Sequence, residues 1–591
     1  TSSKKIIRSQ YLEGKQKEEQ EEKRFRMPEN ELQKQIYDCI AAVLGHRRFG
    51  IDTELYEAGL DSLGSVLLLT DLYQILTVSM TLDDLLQHAS VLKLEEFARE
   101  GAGAEQVDHT VRQVYPLTNL QLYFAYVMRG NTTANLPFLY KLDKRTDLRR
   151  LKFAAEQLFE VHPELKAIIQ MAEGRYQIFR DDKRKIDIPI VRLSDVQWEE
   201  TRKGLLYPYL YGEGENLFHI GIYETDSANY FFFDIAHIMG DGMTMNVLFE
   251  DLNQLYLGKA VEPETYTFYE YILDEKDRDA RGLRAKNEAY FRGLMKDFRV
   301  RKSILARKDC YSLEHGVDAD LKGRFTSLNR RNVSAFCKKL GVSENVFFLT
   351  AYNLSIGLFS NEKDTVSSSI HSGRTDSRWN RLAGPLFLTY FFRNKEGMDQ
   401  TVPELLKTNA KQIMDTMRCY ISNLHADEMF FQYQGDILNI DTVGGYPAER
   451  QRMQLDSLPF HLQVFTDAKG YYYELRYWEN RFDTRQLQDF LTVMESLMDA
   501  MQEETLVRRL SRRLPDRLFP LHYTVTVEEL NQAAKCQLVT GVDGKEPVKV
   551  YVFDENCRKK PFGAWGELYV MDCKPEQVLD EITNPYGPGK L

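Results

Sequence analysis

Two short stretches of this chain hold side chains whose types and spacing could do chemistry. The first is Tyr230-Phe-Phe-Phe-Asp-Ile-Ala-His-Ile-Met-Gly-Asp-Gly242, with an imidazole at His237 and a carboxylate at Asp241, four residues apart. An imidazole titrates near neutrality and can take or give a proton at a reacting centre. The second is Gly59-Leu60-Asp61-Ser62-Leu63, where a hydroxyl stands at the head of an apolar run. A serine at a helix start is an ordinary N-cap. It is also a hydroxyl at a positive helix end, where an incoming phosphate is favoured. Position alone leaves both residues open to structural readings: a histidine at a strand end, an Asp-Gly turn, a capping serine.

The elements that must position these groups follow from periodicity. Tyr230 to Ile235 is strand-like, Gly240-Asp241-Gly242 is a tight turn, and Met243 to Leu257 carries Leu248, Phe249, Leu252, Leu255 and Tyr256 at helical spacing. A strand end of this kind fixes a side chain while the adjoining loop opens it to substrate. Around Ser62, Glu31 to Leu44 is amphipathic, with Leu32, Ile36, Ile40, Val43 and Leu44 on one stripe. A loop follows over Gly45–Tyr56. Asp61-Ser62-Leu63 then opens an apolar helix through Leu76, and Thr81 to Arg99 closes a small helical domain.

With 591 residues the chain is more than one domain. Its 77 basic and 88 acidic side chains leave a net charge of −11, which offers no basic face for nucleic acid. The seven cysteines, Cys39, Cys310, Cys337, Cys419, Cys536, Cys557 and Cys573, are scattered with no CxxC pair, so neither a metal site nor a disulfide framework is signalled and a reducing cytoplasm is expected. No apolar run approaches the ~18–20 residues of a membrane span, and the polar N-terminus is not a signal peptide.

His237-x-x-x-Asp241-Gly242 resembles the His-His-x-x-x-Asp-Gly signature of nonribosomal peptide synthetase condensation domains, relatives of chloramphenicol acetyltransferase. His237 takes the place of the second, active histidine, and Ala236 replaces the first. Other stretches match the family in order. Tyr115-Pro-Leu-Thr-Asn-Leu-Gln121 resembles its first motif, with Tyr123 where Arg is usual. Leu158-Phe-Glu-Val-His-Pro-Glu-Leu-Lys166 resembles the second, with Val161 and Lys166 for Arg, so His162 is expected to be structural. Tyr266-Thr-Phe-Tyr-Glu-Tyr271 resembles the fourth. Arg381 to Arg393 resembles the fifth, with Leu388 where Asn is usual. Gly59-Leu60-Asp61-Ser62-Leu63 resembles the attachment site of carrier proteins, which implies 4'-phosphopantetheine on Ser62, with Leu63 and Val66 as docking residues. Thr1 to Leu12 looks like the last motif of an adenylation domain, with Lys5 and Arg8 in its key places; a solvated basic tail is the alternative. Val548–Asn556 and Phe562–Val570 look like an internal adenylation piece, which is expected not to activate amino acids because the phosphate loop such enzymes use is absent from the chain.

The resemblance implies an order. Residues 1–28 are the end of an upstream adenylation domain and a charged linker, 29–100 an all-α four-helix peptidyl carrier domain, and 101–111 a linker. Residues 112–515 form an α/β condensation domain of two chloramphenicol-acetyltransferase-like lobes in a V, about 112–275 and 276–515, with the active site in a tunnel between them; 516–591 is a partial adenylation-like segment. The implied reaction is peptide-bond formation by attack of a downstream carrier-bound amine on a phosphopantetheine-bound thioester. His237 acts as general base or positions the amine. Asp241 points away from substrate and pairs with Arg374 of the other lobe. Gly242 lets the backbone approach. His371, beside Arg374, is read as a satisfied polar residue before an active-site one. Ala236, Leu388 and Tyr123 leave three forms open: a chain-extending domain, a variant that cyclises or uses a non-amine nucleophile, and a silent carrier-docking module. An acyltransferase using free coenzyme-A thioesters is a further alternative. Implied partners are upstream and downstream synthetase domains and a phosphopantetheinyl transferase, with no metal, nucleic acid or membrane.

Overall fold

The structure is a computed structural model. It describes residues 25–298 apart from 61, 77, 79 and 101–106; residues 316–514 apart from 361, 396, 398–399, 420–428, 436–439, 454–457 and 504–505; and 523–528, 545, 547–553 and 567–571. The N-terminal adenylation-like match, with Lys5 and Arg8, lies outside the described residues.

Four helices come first: α1 (Glu31–Leu44), α2 (Ser62–Leu76), α3 (Leu82–Gln87) and α4 (Val91–Glu100). Helix α1 starts where Asn30 Oδ1 accepts from the Gln33 amide and stops at Gly45, whose φ of 67° suits a residue without a side chain. Its stripe of Ile36, Tyr37, Ile40 and Leu44 is buried in one cluster with Leu68, Leu69 and Leu72 of α2 and Leu94 of α4. Helix α3 opens on a capping box between Thr81 and Asp84.

The first lobe runs through β1 (Val114–Pro116), α5 (Asn119–Tyr126), β2 (Phe138–Lys141), α6 (Leu148–Val161), β3 (Ile168–Ala172), β4 (Arg175–Phe179), β5 (Ile190–Arg192), α7 (Asp195–Lys203), β6 (Phe218–Glu224), β7 (Asn229–Ile235) and α8 (Gly242–Tyr256). Helices α9 (Phe268–Ala280) and α10 (Leu283–Leu294) lead to the second lobe. That lobe comprises β8 (Asp318–Arg324), α11 (Arg330–Leu340), α12 (Glu344–Ser360), β9 (Asp364–His371), β10 (Leu388–Lys395), α13 (Val402–Met417), β11 (Phe430–Gly435), β12 (Thr442–Val443), β13 (Tyr446–Pro447), β14 (Glu449–Gln451), β15 (Phe460–Asp467), β16 (Gly470–Trp478) and α14 (Thr484–Met501).

Each lobe is built on a mixed sheet. The first has the order β14-β2-β7-β6-β5, the second β10-β9-β11-β15-β16-β8, and a small sheet, β1-β4-β3, flanks the first. Strand β7 is central, and both its faces are covered. Phe231, Phe233 and Ile235 pack with Leu158 and Phe159 of α6 and Leu248 and Leu252 of α8. Phe232 packs on the other side with Trp198 of α7. Burial on both faces explains why Tyr230–Phe233 reads as a continuous aromatic run rather than an alternating one. The edge strand β14 comes from the second half of the chain: Glu449–Gln451 pairs antiparallel with Leu139–Lys141, and the Arg450 guanidinium lies over Phe138 at 4.2 Å. The two lobes are therefore tied by backbone hydrogen bonds. Helix α12 is buried on almost every side, as apolar residues spread around its whole circumference require.

Beyond the second lobe, β17 (Tyr523–Thr526), β18 (Pro547–Phe553) and β19 (Glu567–Met571) form a separate antiparallel sheet in the order β17-β18-β19.

Candidate active site

The site forms where β7 ends. Backbone pairing with the segment before β2 continues past the strand: Asn135 bridges Ala236, and the His237 amide donates to the Ala134 carbonyl at 2.8 Å. His237 is thus fixed at the backbone before its side chain is considered. The ring is partly buried between an aromatic from each lobe. Phe124 of α5 stacks on it at 4.9 Å between centroids, and Phe387, just before β10, lies at 5.0 Å. Nδ1 lies 2.8 Å from the Gly240 carbonyl oxygen, which can only accept. The proton is therefore on Nδ1, and Nε2 carries the lone pair. Burial lowers the imidazole pKa, against the opposing charge of Asp241. The ring is neutral at pH 7 and can accept a proton or a hydrogen bond at Nε2.

Gly240 makes this turn possible. A Cβ there would stand 2.8 Å from Ile235 Cδ1 and 2.9 Å from Thr244 Cγ2, closer than side-chain carbons pack. The turn is braced from below by Gln121, fully buried, whose Nε2 donates to the Ile238 carbonyl at 3.0 Å while its Oε1 caps α5 at Thr118.

Asp241 does two jobs with one carboxylate. It is the N-cap of α8, accepting from the Thr244 amide at 2.9 Å. It also receives Arg374 bidentately, Nη1 to Oδ2 at 2.9 Å and Nη2 to Oδ1 at 3.0 Å, with the side chains 1% and 3% exposed. The Leu386 and Phe387 amides add bonds of 3.0 and 3.2 Å to Oδ2. Burial, the largest single influence, would raise this carboxyl's pKa; the Arg374 charge together with the hydrogen bonds from Arg374, Thr244 and Leu386 outweighs it and holds the pKa below the usual carboxylate value. Arg374 also donates to the Ser372 and Leu382 carbonyls. Asp241 is thus consumed by the junction between the lobes. Gly242 is the first residue of α8.

Ser62 is the first residue of α2, preceded by Gly59 at a φ of 102° and the buried Leu60. A helix-head position is where a hydroxyl can carry an appended phosphate, so this placement fits a pantetheine attachment.

His162 is buried with Nε2 2.8 Å from Asp251 Oδ2; burial would lower its pKa, but the hydrogen bond to Asp251 and the flanking Glu164 raise it to about 9. It is a charged structural residue. His371 at the end of β9 accepts from the Gly373 amide at Nδ1 (3.1 Å), which leaves its Nε2 proton buried without a protein partner. It is half satisfied rather than satisfied, and burial lowers its pKa to about 4. Leu388 lies opposite His371 across the β9–β10 ladder. Arg393 pairs with Asp364, 2.7 Å from Nε.

Sequence reasoning missed Asp234. It is 1% exposed, three residues before His237, and accepts from Asn135 Nδ2 (2.7 Å), the Leu136 amide (3.0 Å) and the Tyr209 hydroxyl (3.1 Å). Burial raises its pKa to about 7 despite these bonds. The signal was a lone acid inside an aromatic strand, where an ionisable group demands partners. Asp234 ties down the segment that holds His237.

The family described as Condensation domain matches residues 111–420, and that described as Phosphopantetheine attachment site matches residues 34–98.

This chain belongs to the condensation-domain family.

The match at residues 34–98 further implies a covalently attached 4'-phosphopantetheine. Surfactin synthase subunit 1 of Bacillus subtilis (strain 168) is 22% identical over 390 residues, 64% of this chain and 11% of that protein. The chain thus spans about 11% of the length of that relative. Among solved structures, the condensation domain from the monacolin K polyketide synthase MokA has a TM-score of 0.57 at 14% identity, covering 67% of this chain and 99% of that one. The EpoB cyclization-docking bidomain from Sorangium cellulosum also has a TM-score of 0.57, at 15% identity, covering 72% and 93%. These likenesses establish the α/β condensation-domain fold. Among the described residues, no helix is long and apolar enough to cross a membrane, and no group of three or more His, Cys, Asp or Glu is arranged to hold a metal.

Proposed function

We propose that the chain is a carrier–condensation pair of a nonribosomal peptide synthetase, forming an amide bond by attack of a carrier-bound aminoacyl amine on an acyl or peptidyl thioester donor. The carrying observation is the state of His237: Nδ1–H is committed to the Gly240 carbonyl, which leaves Nε2 as the acceptor, and the ring is held between Phe124 of one lobe and Phe387 of the other. A neutral acceptor held at a lobe junction suits an incoming amine.

A thioester is already activated, so the protein's main contribution is placement, which can supply roughly 7–11 kcal/mol. Nε2 accepts a hydrogen bond from the amine and so aims the amine's lone pair at the carbonyl carbon; as the C–N bond forms and the C–S bond breaks, the amine proton passes by way of Nε2 to the departing thiolate, which leaves as the free thiol and restores the neutral imidazole. A base with a lowered pKa is weak, which favours the aiming role over full proton abstraction in the rate-setting step. Asp241 and Arg374 hold the two lobes around the reacting groups. Gly242 leaves the head of α8 without a side chain. When bound, the pantetheine group supplies a flexible thiol on which the acyl group travels; Ser62 is its attachment residue, and a phosphopantetheinyl transferase installs it. Upstream and downstream synthetase domains supply and receive the carried groups. The cytoplasm is the compartment this requires.

The test is to treat the full chain with a phosphopantetheinyl transferase and an acyl coenzyme A, add an acceptor aminoacyl thioester, and follow product by mass spectrometry. A mass increase on wild type and none on Ser62→Ala, with product only from the former, is expected. Loading without product would identify a docking module, and turnover by Ser62→Ala would identify an acyltransferase using free thioesters.

A further inference from the structure

The carrier is seated on the second lobe by main-chain contacts that run into the active-site ion pair. The Leu82 amide donates to the Thr375 carbonyl at 2.9 Å, the Ser377 amide to the Met80 carbonyl at 3.2 Å, and the Met80 amide to Ser377 Oγ at 3.3 Å. Thr81 and Asp376 form an antiparallel bridge. Asp83 pairs with Arg418 at the end of α13. Apolar residues of the helical domain and of the second lobe belong to one buried cluster.

The lobe's side of this seat is the segment Gly373–Arg378, and its first half serves the active site. Arg374 clamps Asp241, whose Oδ2 also takes the Leu386 and Phe387 amides. Thr375, the next residue, takes the carrier's Leu82 amide. The segment has little slack between the two. The Thr375 amide is turned back onto the Gly373 carbonyl at 3.0 Å, and at Gly373 a Cβ would stand 1.7 Å from the Leu386 carbonyl oxygen. At the other end, Asp376 is locked to Arg378, which lies over the Tyr266 ring at 4.4 Å.

We propose that Gly373–Arg378 couples carrier seating to the active site: pairing with Met80–Leu82 holds Arg374 on Asp241, and departure of the carrier loosens that pair. Transfer is then favoured while a loaded carrier is seated. The inference rests on the carrier-to-cleft reading above, but its readout is an amide exchange rate, so the two can fail separately.

The test uses the full chain with two substitutions, Asp83→Arg and Ser377→Pro. The first reverses the charge facing Arg418. The second removes the carrier-facing amide and hydroxyl at the first position of a 3₁₀ turn, where proline is tolerated, after Asp376, whose φ of −127° and ψ of 142° suit a residue before proline. Small-angle scattering reads whether the carrier has left, and hydrogen exchange reads the Leu386 and Phe387 amides against those of β15. Expected are an increased radius of gyration and exchange at Leu386 and Phe387 faster by ~10-fold, with β15 unchanged. An increased radius with unaltered exchange at 386–387 overturns the coupling. So does equal acceleration in β15, which would be general loosening of the lobe. An unchanged radius overturns the seat itself.

Discussion

At the scale of single residues, two buried carboxylates near His237 differ in kind. Asp241 is paired and ionised, so its removal leaves Arg374 as a buried charge without a counterion. Breaking such a pair costs ~3–5 kcal/mol. Asp241→Asn is expected to lower the denaturation free energy by about that amount along with the transfer rate; a well-folded, fully active Asp241→Ala protein would refute the junction role. Asp234 is the opposite case, with a folded pKa of about 7 set by burial. Between about pH 4 and pH 7 the folded state then holds a proton that the unfolded chain, with the ordinary carboxyl pKa of 3.8, has already released. Stability contributed by this group is present at low pH and is lost as pH rises through that window, with a limiting slope of about 1.4 kcal/mol per pH unit. Chemical denaturation of wild type and Asp234→Asn across pH 4–8 is expected to show this falling slope in the difference between them. A difference that does not vary with pH would place the Asp234 pKa near its ordinary value.

At the scale of elements, the strand-turn-helix unit β7–α8 concentrates the site because its turn is over-determined. Ala134 holds the His237 amide, Gln121 the Ile238 carbonyl, and Asp241 the first turn of α8. Gly240 is the point where backbone passes closest to Ile235 and Thr244. Gly240→Ala forces one of them aside. Overpacking of this kind costs about 1–3 kcal/mol, and it also displaces the carbonyl that fixes the His237 tautomer. The expected outcome is a lower melting midpoint together with a transfer defect larger than the stability loss explains. Retention of wild-type rate would mean that the Nδ1–Gly240 bond is not what orients the ring.

At the scale of the whole molecule, what was legible depended on whether information was local. The run from Tyr230 to Leu257 carried its strand, turn and helix in its own periodicity, and the helices over Glu31–Leu44 and Ser62–Leu76 could be read the same way, while the four-helix layout around Ser62 came from resemblance. The motif order along residues 112–515 pointed to the two-lobed fold through resemblance. Three features were illegible because they arise from distant segments. Glu449–Gln451 completes the first lobe's sheet as the partner of Leu139–Lys141, with Arg450 paired to Tyr140 across 310 residues of sequence. Asp234 finds Asn135 and Tyr209 only after folding. His371 loses a partner for Nε2 because of what packs around it rather than what flanks it.

The central claim is that a neutral imidazole between the two lobes directs amide formation. Its most direct test is single-turnover product formation by the full chain charged at Ser62, comparing wild type with folded His237→Ala. The account predicts a rate lower by ~10²–10⁴-fold in the variant, the usual contribution of a positioned proton-transfer group. Equal rates would contradict it.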